Sequence, residues 1–335
     1  MQIKQFIGID VSKKTLDFSV VINGKVVNHY CVLNNTREIK SVVNKIMKAF
    51  GGSYEETIFC MEHTGLYNLP LVKWLQINQC KIWLESGIHI RKTLGMVRGK
   101  NDKVDSLRIA MFAYTNRHQI KLWVPPRKVI ERLGALLSQR HRMMKARKQL
   151  ATANSEQKLF IDKEIMHSLN VYTNKTVLVI DKQVKAIEKE ILSLIKKDEK
   201  LKQMYDIITS VSGIGFVIAV HILVTTNEFI SINDPKKYAC YCGVVPFEHT
   251  SGSSIRGKNR VSHMANKSIK TLLHLAAVST IRMSGELQDY YNRKVSEGKN
   301  KMCAINAIRN KLILRVFACV NQNRLYEKNY CYKFV

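Results

Sequence analysis

Short apolar runs and helix-spaced positions alternate through the first third of the chain. Residues 3–9 are an apolar run that leads to Asp10, and the strand-length segments 16–22 and 25–33 are joined by Asn23-Gly24. Asn-Gly between apolar segments favours a tight β-hairpin. The pattern then predicts a helix over 36–50, a strand over 57–61, a helix over 69–77, a strand over 80–84, a helix near 88–94 and a helix from Asp102 to about residue 116. A three-strand meander followed by alternating helices and strands predicts an α/β domain with a mixed sheet.

Paired prolines, Pro125 and Pro126, end this pattern, because a helix cannot continue through them from the preceding residues. The segment from about 128 to 204 has no strand signal. Its second half carries apolar residues at alternating steps of three and four: Val177, Ile180, Val184, Ile187, Ile191 and Leu194. This repeat predicts a coiled-coil seam that serves as a spacer or an oligomerisation arm. A coil between subunits and a helical hairpin that packs on itself both stay open.

A glycine turn marks the start of the third region. Gly213 and Gly215 lie just before an apolar helix, as in a helix-hairpin-helix, where backbone N–H groups at a helix start approach a phosphate. A packed helical hairpin with a glycine turn would give the same pattern. We therefore divide the chain into an α/β domain (1–124), a basic helical and coiled-coil region (125–204), a mostly helical C-terminal domain (205–325) and a tail (326–335).

Charge narrows the possible partners. The net charge of +28 and the pI of about 9.8 predict a polyanionic partner, either nucleic acid or an anionic membrane surface. The apolar runs are short and interrupted by Lys or Arg, and the start of the chain does not resemble a signal peptide, so nucleic acid is favoured over membrane. The dispersed cysteines predict buried, reduced thiols and a cytoplasmic protein. With a nucleic-acid partner, we expect it to be nucleoid-associated. The first helical segment supplies candidate nucleic-acid-binding residues: Arg140, Arg142, Lys145, Arg147 and Lys148.

Four acids recur where an α/β sheet would bring them together. Asp10 and Glu62 each follow an apolar strand, and Asp102 and Asp105 lie three apart at the start of a helix, on one face. Carboxylates converging from separate elements can hold divalent cations for phosphoryl transfer, with Mg²⁺ the default for oxygen ligands. Any one of these acids alone is more often a helix cap or a solvated charge. We set Asp17 aside because its strand alternates and places it on the expected solvated face.

A hydroxyl-rich, basic segment follows much later. Between His249 and Gly285 the chain has no acidic residue, and Ser251 lies in a predicted flexible loop near three basic residues: Arg256, Lys258 and Arg260. A serine flanked by cations can attack a phosphodiester while the cations stabilise the developing charge. A loop that only grips phosphate fits the same residues and is favoured on chemistry alone. Chemistry does not separate Ser251 from Ser253 or Ser254.

Taken together, these motifs resemble one family, the Piv/IS110-type insertion-sequence transposases. The resemblance rests on Gly8-Ile9-Asp10-Val11-Ser12-Lys13, Met61-Glu62-His63-Thr64-Gly65, Lys100-Asn101-Asp102-Lys103-Val104-Asp105, Gly213-Ile214-Gly215, Tyr241-Cys242-Gly243-Val244-Val245-Pro246, Ser251-Gly252 and Arg256-Gly257-Lys258. It implies a ribonuclease H-like (RuvC-like) domain with an Asp-Glu-Asp-Asp metal site, a coiled coil and a serine transposase domain.

The resemblance also implies a mechanism and partners. DNA strands would be cut through a covalent phosphoserine at Ser251, with donor and target DNA paired to a guide (bridge) RNA. The active site would combine acids and serine from different subunits of a homo-oligomer, a dimer or a tetramer.

Three other functions fit parts of the sequence. A RuvC-like, metal-dependent junction nuclease would hydrolyse DNA with water and need no serine. An actin-like sugar kinase shares the Gly8–Thr15 pattern but needs a second glycine-rich phosphate loop, for which the sequence has no convincing place. An architectural DNA-binding protein would use the glycine turn and leave the four acids without a role.

Overall fold

Five strands form a mixed sheet in the first of two units into which the chain divides, Met1–Pro125 and Pro126–Val335. The computed structural model describes residues 3–93, 101–251, 255–262 and 264–328. The strands are β1 (Gln5–Val11), β2 (Thr15–Ile22), β3 (Lys25–Leu33), β4 (Thr57–Glu62) and β5 (Lys81–Glu85). Their order is β3-β2-β1-β4-β5, with β1 to β3 antiparallel and β4 and β5 parallel to β1. The predicted mixed sheet and its meander are confirmed.

Helices cover both faces of this sheet. They are α1 (Thr36–Phe50), α2 (Leu69–Ile77), α3 (Gly87–Thr93) and α4 (Asp102–Thr115). One core joins the odd-numbered positions of β1, such as Ile7 and Ile9, to α1 and α2. The other core joins Phe6 of β1 and Trp83 of β5 to α3 and α4. The sheet is therefore buried on both sides, which the alternation in β2 did not reveal.

Helix α4 lies unusually close to β1. A Cβ atom at Gly8 would overlap the backbone nitrogen of Ala110 and the carbonyl oxygen of Ser106. Next to this contact, the buried hydroxyls of Ser19 on β2 and Ser106 on α4 are 2.8 Å apart and share a hydrogen bond. The second and third turns of α4 are thus held against the sheet by direct backbone packing.

Two long helices, α5 (Lys128–Gln157) and α6 (Lys163–Lys196), open the second unit and pack against each other. Val184 and Ile191 of the predicted heptad are buried, and Leu133 and Leu137 of α5 belong with Ile191 to one core. Ion pairs join the helices at Arg132–Glu190 (2.6 Å), Arg140–Glu188 (2.7 Å) and Arg147–Asp181 (2.6 Å). Within one chain the repeat therefore forms a helical hairpin, and a coil between subunits stays a prediction.

The rest of the second unit is mostly helical, as predicted, with one small sheet. Its elements are α7 (Glu199–Ser210), α8 (Phe216–Thr226), α9 (Pro235–Tyr241), β6 (Pro246–Ser251), β7 (Ile255–Val261), α10 (Lys267–Thr280), α11 (Glu286–Ser296) and α12 (Lys301–Asn321). The antiparallel pair β6–β7 was not predicted, and Thr250 and Ser251 lie in β6 rather than in a loop. Residues 252–254 lie outside the described residues.

An ionic junction lies at the start of α5. The Arg127 guanidinium donates to Glu228 over 2.8 and 2.6 Å and to Asp198 over 2.7 and 3.3 Å. The Glu228 side chain is fully buried. It lies in a run of three left-handed residues, Asn227, Glu228 and Phe229, with φ of 49°, 56° and 63°. Three successive non-glycine residues in this region are costly, so tertiary contacts must hold the turn.

Two further expectations can be compared with the structure. Within the described ranges, no helix combines the length and apolarity needed to span a membrane. The described cysteines are all free thiols, but Cys31 and Cys303 are exposed, so the prediction of buried thiols is wrong for these two. Cys331 lies outside the described residues.

Candidate functional site

Asp10 and Glu62 share one face of the sheet. Side chains alternate along a strand, so Asp10 projects on the same side as Gly8, where α4 packs. On β4, Glu62 follows Ile58 and Cys60 at two-residue steps, and those two belong to the core beneath α4. Asn68 donates through Nδ2 to the Glu62 carbonyl oxygen over 2.8 Å and fixes the end of β4. Both acids are half-buried at the same edge of the sheet.

Asp102 and Asp105 lie in the first turn of α4, which covers this face. The helix begins after Asn101, whose side chain accepts a hydrogen bond from the Val104 amide over 3.2 Å. The prediction that Asp102 begins a helix is confirmed, and the cap itself is Asn101. Acidic side chains in a first helical turn also stabilise the helix by interacting with its dipole. The position of Asp102 and Asp105 can therefore be explained without a metal site.

Charge coupling indicates that these acids lie near one another. Burial raises the pKa of Asp10, and the charges of Asp102, Asp105, Asp17 and Glu62, in that order, contribute further; together they bring it from 3.8 to about 6. All three other candidate acids act on Asp10, although they come from β4 and α4. A cluster of like charges of this kind resists full ionisation unless a cation is present.

Asp17 corrects one of our sequence-based assignments. It was placed on a solvated face, but its side chain is only 8% exposed. It lies directly opposite Asp10 in the β1–β2 ladder, on the face that α4 covers. His29 Nε2 lies 3.0 Å from its Oδ1, and the Cys31 thiol lies 3.5 Å from its Oδ2. The predicted β1–β2 meander could have placed Asp17 opposite Asp10. The sequence pattern could not show that a helix covers this face of the sheet as well.

The donor set suits a hard divalent cation. In the described part of the chain, the carboxylates of Asp10, Glu62 and Asp102 have no hydrogen-bond or ion-pair partner, whereas Asp105 Oδ1 lies 2.6 Å from Arg108 Nη1. Oxygen-only ligands are those that Mg²⁺ and related ions prefer. Among the described residues no three acidic, His or Cys side chains are close enough to enclose one ion. The four acids thus offer the oxygen ligands that a divalent cation prefers, and they lie on one face of the sheet. Their side chains do not surround a single ion in this structure.

Ser251 lies at the end of β6, where its backbone pairs with Ile255 at the start of β7. Arg256 and Lys258 lie on β7 as well, opposite Thr250 and close to His249 in the ladder. Arg260, opposite Phe247, is exposed. The structure therefore brings the candidate serine and the three basic residues onto one hairpin. Ser253 and Ser254 lie outside the described residues.

A groove of about 860 Å³ runs between α5, α8 and α10. Four of the five basic candidates on α5 line it, namely Arg140, Lys145, Arg147 and Lys148. Arg142 does not line it, and its guanidinium donates to Gln139. Three sets of lining residues were missed from the sequence: the histidines His141 and His221, the hydroxyls Thr152, Ser155, Ser268 and Thr271, and the apolar Leu137, Met144, Val217, Leu272 and Leu275.

Charge in this groove is of one sign. None of its described lining residues is acidic. Burial, with help from His141 and Arg140, lowers the pKa of His221 to about 4. Lys145 and Lys148 are exposed and have no ion-pair partner in the described ranges. The periodicity of apolar positions can predict the α5 side of the groove. Only the fold shows that α8 and α10 form its other side.

The glycine turn connects α7 to α8. Gly213 has φ of +89°, and a Cβ atom there would overlap the Thr280 hydroxyl on α10. Gly215 caps the start of α8. Turn geometry and packing on α10 therefore account for Gly213, while a Cβ at Gly215 would meet no described atom within 4 Å. Contact of these two glycines with nucleic acid stays a prediction.

Comparison with known families adds independent information. A transposase family model of the IS110 DEDD type matches residues 7–157, and a second model, the transposase IS116/IS110/IS902 family, matches residues 205–292. The first range contains all four candidate acids, and the second contains Ser251 and the glycine turn. The two matches follow the order of the motifs along the chain.

Individual proteins resemble the chain over different lengths. The pilin gene-inverting protein of Moraxella bovis is 26% identical over 97% of this chain and 98% of its own length. A 43.6 kDa protein of insertion element IS110 from Streptomyces coelicolor is 25% identical over 45% of this chain and 36% of its own length. The RuvC structure from Thermus thermophilus, at 12% identity, covers 36% of this chain and 99% of its own with a TM-score of 0.29. From the two family matches and the full-length relative, the chain belongs to the IS110 family of transposases.

Proposed function

We propose that the protein is an insertion-sequence transposase that acts as a site-specific DNA recombinase, cutting and rejoining DNA strands. One observation carries the proposal: Asp10, Glu62, Asp102 and Asp105 come from three elements to one covered face of the sheet, where burial and then the charges of the other three acids raise the pKa of Asp10. Similarity to pilin gene-inverting proteins over nearly the whole chain supports exchange of DNA segments rather than simple nicking.

The four acids would hold a divalent cation, for which Mg²⁺ is the expected choice. When bound, the cation would supply positive charge to the phosphate oxygens of the scissile strand. The protein's own part is to fix the acids: Asn68 anchors the end of β4, and Gly8 lets α4 bring Asp102 and Asp105 close to β1.

Ser251 is the proposed nucleophile. Its hydroxyl oxygen would bond to the phosphorus of a scissile phosphodiester, its proton would pass to a base, and the bond to one deoxyribose oxygen would break and leave a hydroxyl. The phosphoserine ester replaces the broken phosphate ester bond with an equivalent one. A hydroxyl from another strand can therefore attack the phosphorus and release the serine. Arg256, Lys258 and Arg260 would stabilise the charge that develops on the phosphate.

Nucleic acid would bind along the second unit. Lys145 and Lys148 line a groove without described acidic side chains, and its aliphatic floor could cover unstacked bases. Donor and target DNA are the expected substrates, and a guide (bridge) RNA is the proposed source of sequence specificity. The active form is proposed to be a homo-oligomer, a dimer or a tetramer, in which one subunit supplies the acids and another supplies Ser251.

The covalent step is testable with a suicide DNA substrate that loses its cut end. The wild-type protein, with its co-purified nucleic acid and Mg²⁺, should form a protein–DNA adduct that survives denaturing gels. Ser251→Ala should form none, whereas Ser253→Ala and Ser254→Ala should form it at wild-type levels. Adduct loss in Ser253→Ala but not in Ser251→Ala would move the nucleophile to Ser253.

The same experiment separates the recombinase from a junction nuclease. If the wild-type protein nicks DNA and never forms an adduct, the acids activate water and the phosphoserine proposal is wrong. The guide RNA needs its own measurement. Sequencing of co-purified RNA should give one defined species encoded by the element, and removal of that RNA should abolish target choice; a mixture of cellular RNA fragments would contradict it.

A further inference from the structure

Asp17 is the acid nearest to Asp10 along the ladder. The two residues are direct partners in the antiparallel β1–β2 pair. In such a pair, side chains of opposite residues project on the same face with their Cβ atoms about 4.5–5.5 Å apart. Asp17 therefore adds a carboxylate next to the residue that begins the proposed cation site.

The groups that contact the Asp17 carboxylate fix its position but supply no fixed positive charge. Its partners in the described part of the chain are the His29 ring, at 3.0 Å, and the Cys31 thiol, at 3.5 Å, both on β3. Neither group carries a fixed positive charge. The chain has 54 Lys and Arg residues, and one of them, Arg108, pairs with Asp105, yet none is paired with Asp17 among the described residues.

Burying a carboxylate among neutral groups is unfavourable. Asp17 is buried, so this cost applies to it. A divalent cation bound at Asp10 would offset the cost, because its attraction to Asp17 acts through a poorly solvated space. The same attraction would strengthen binding of the cation. Substitution of a residue that contacts the metal ligands, without binding the metal itself, commonly changes metal affinity by about 10- to 100-fold.

We propose that Asp17 is a positioning residue of the cation site, a fifth carboxylate that His29 holds beside Asp10 and whose charge strengthens divalent-cation binding. The inference rests on the proposed function, because it concerns the same site. It assigns to β2 and β3 a part in the chemistry that the four-acid motif gives only to β1, β4 and α4.

Cation affinity is the direct test. Mn²⁺ binding to the full-length protein can be followed by calorimetry or by the electron paramagnetic resonance of free Mn²⁺, without any DNA reaction. Asp17→Asn keeps the size of the side chain and an oxygen that can accept from His29. We expect it to weaken Mn²⁺ binding by about 10-fold, within the 10- to 100-fold range for such residues. Asp10→Asn should abolish the binding.

Glu56→Gln is the matched control. It removes one negative charge from the same unit, but Glu56 precedes β4 whereas Glu62 ends it, and it is paired with Lys4 at 2.6 Å. Strand β4, from Thr57 to Glu62, lies between them, and its five steps alone span about 17 Å at the usual rise. Mn²⁺ affinity in this variant should stay within twofold of wild type.

His29 gives a second route should Asp17→Asn fail to fold. His29→Leu removes the group that holds Asp17 and should weaken Mn²⁺ binding several-fold, whereas His29→Gln keeps a donor and should restore most of the affinity. Full affinity in both Asp17→Asn and His29→Leu, with Asp10→Asn unable to bind, would overturn the role of Asp17 and leave the proposed function intact. Absence of any Mn²⁺ binding by wild type, with or without nucleic acid, would overturn the cation site itself.

Discussion

The acid face of the first unit and the serine hairpin of the second differ in how they are supported. Two of the candidate acids lie on a sheet with a core on each face and the other two on α4, which packs backbone against backbone over Gly8. The hairpin β6–β7 is two-stranded, and its described side chains Thr250, Asn259 and Arg260 are exposed. A two-stranded sheet alone is marginally stable in water, so its shape depends on its neighbours.

This difference indicates a division of labour. Carboxylates that hold a cation must keep fixed distances, which a doubly covered sheet provides. Basic residues on an exposed hairpin and along a groove can adjust to a long polyanion. Cation binding should therefore depend on the first unit, whereas the grip on nucleic acid, and the proposed nucleophile Ser251, belong to the second. Substitutions can separate cation binding from nucleic-acid binding.

The largest expected effect is on strand cleavage. Asp10→Ala should reduce cleavage by more than about 100-fold, because it removes a ligand rather than a supporting residue. Binding of nucleic acid should stay within about twofold, since it rests on Lys and Arg. Adduct formation and filter binding on the same preparation measure the two quantities. Asp206→Asn, an exposed acid on α7, is the control and should change neither.

The reverse effect is expected in the groove. Lys145→Gln with Lys148→Gln should weaken binding by about 30-fold at 0.1 M salt and lower the slope of log K against log[salt] by about 1.4–1.8, because two phosphate contacts are lost. Electrophoretic mobility shifts over a salt series measure both.

Two exposed lysines on α6, Lys185 and Lys189, provide the matched control for the groove. Their replacement by Gln changes the net charge equally but leaves the groove lining unaltered. Equal weakening by both pairs would show that binding follows net charge alone, and the groove would lose its role.

Stability should be sensitive at Gly8. In Gly8→Ala the added methyl group would overlap the α4 backbone, which cannot move as a flexible side chain does. We expect a loss of about 1–3 kcal/mol in the free energy of unfolding and a weaker Mn²⁺ affinity as α4 shifts. Gly134→Ala, in the second turn of α5 with only a Val224 methyl 3.3 Å from the new Cβ, should change stability by less than about 1 kcal/mol. Urea titration measures both.

The smallest expected effect depends on pH. The Asp10 pKa is about 6 in the folded chain against an ordinary 3.8, so folding favours the protonated acid. This contribution to stability is fully present below pH 3.8, falls as the pH rises and is lost above about pH 6. Without divalent cations, Asp10→Asn should therefore raise Tm at pH 8 and leave it nearly unchanged near pH 3.8. Saturating Mg²⁺ should reverse the order at pH 8, and a wild-type Tm insensitive to Mg²⁺ would contradict the cation site.

Sequence patterns predicted most of the first unit. The helix over 36–50, the helix over 69–77 and the hairpin at Asn23-Gly24 agree with the structure because local periodicity and turn chemistry decide them. The strand at 80–84 is shifted by one residue to Lys81–Glu85. Asp10 was expected to follow β1 but lies within it, one residue before its end.

Long-range features were beyond the sequence. Asp17 looked solvated because alternation reports one buried face, and only the fold shows that α4 covers the other. The strands β6 and β7 are rich in polar and basic residues, so no apolar alternation marked them. Likewise, the heptad in α6 could not show whether its partner is α5 of the same chain. Family membership required comparison with other proteins, while the roles of the individual site residues remain predictions.

The junction at Arg127 has a mechanical consequence. It follows directly on Pro126, the first residue of the second unit, and ties the chain to Asp198 before α7 and to Glu228 after α8. Tension applied to the chain at Pro126, as when bound DNA is strained, would load these ion pairs before it reached the first turn of α5. The force would then be shared by three helices, α5, α7 and α8.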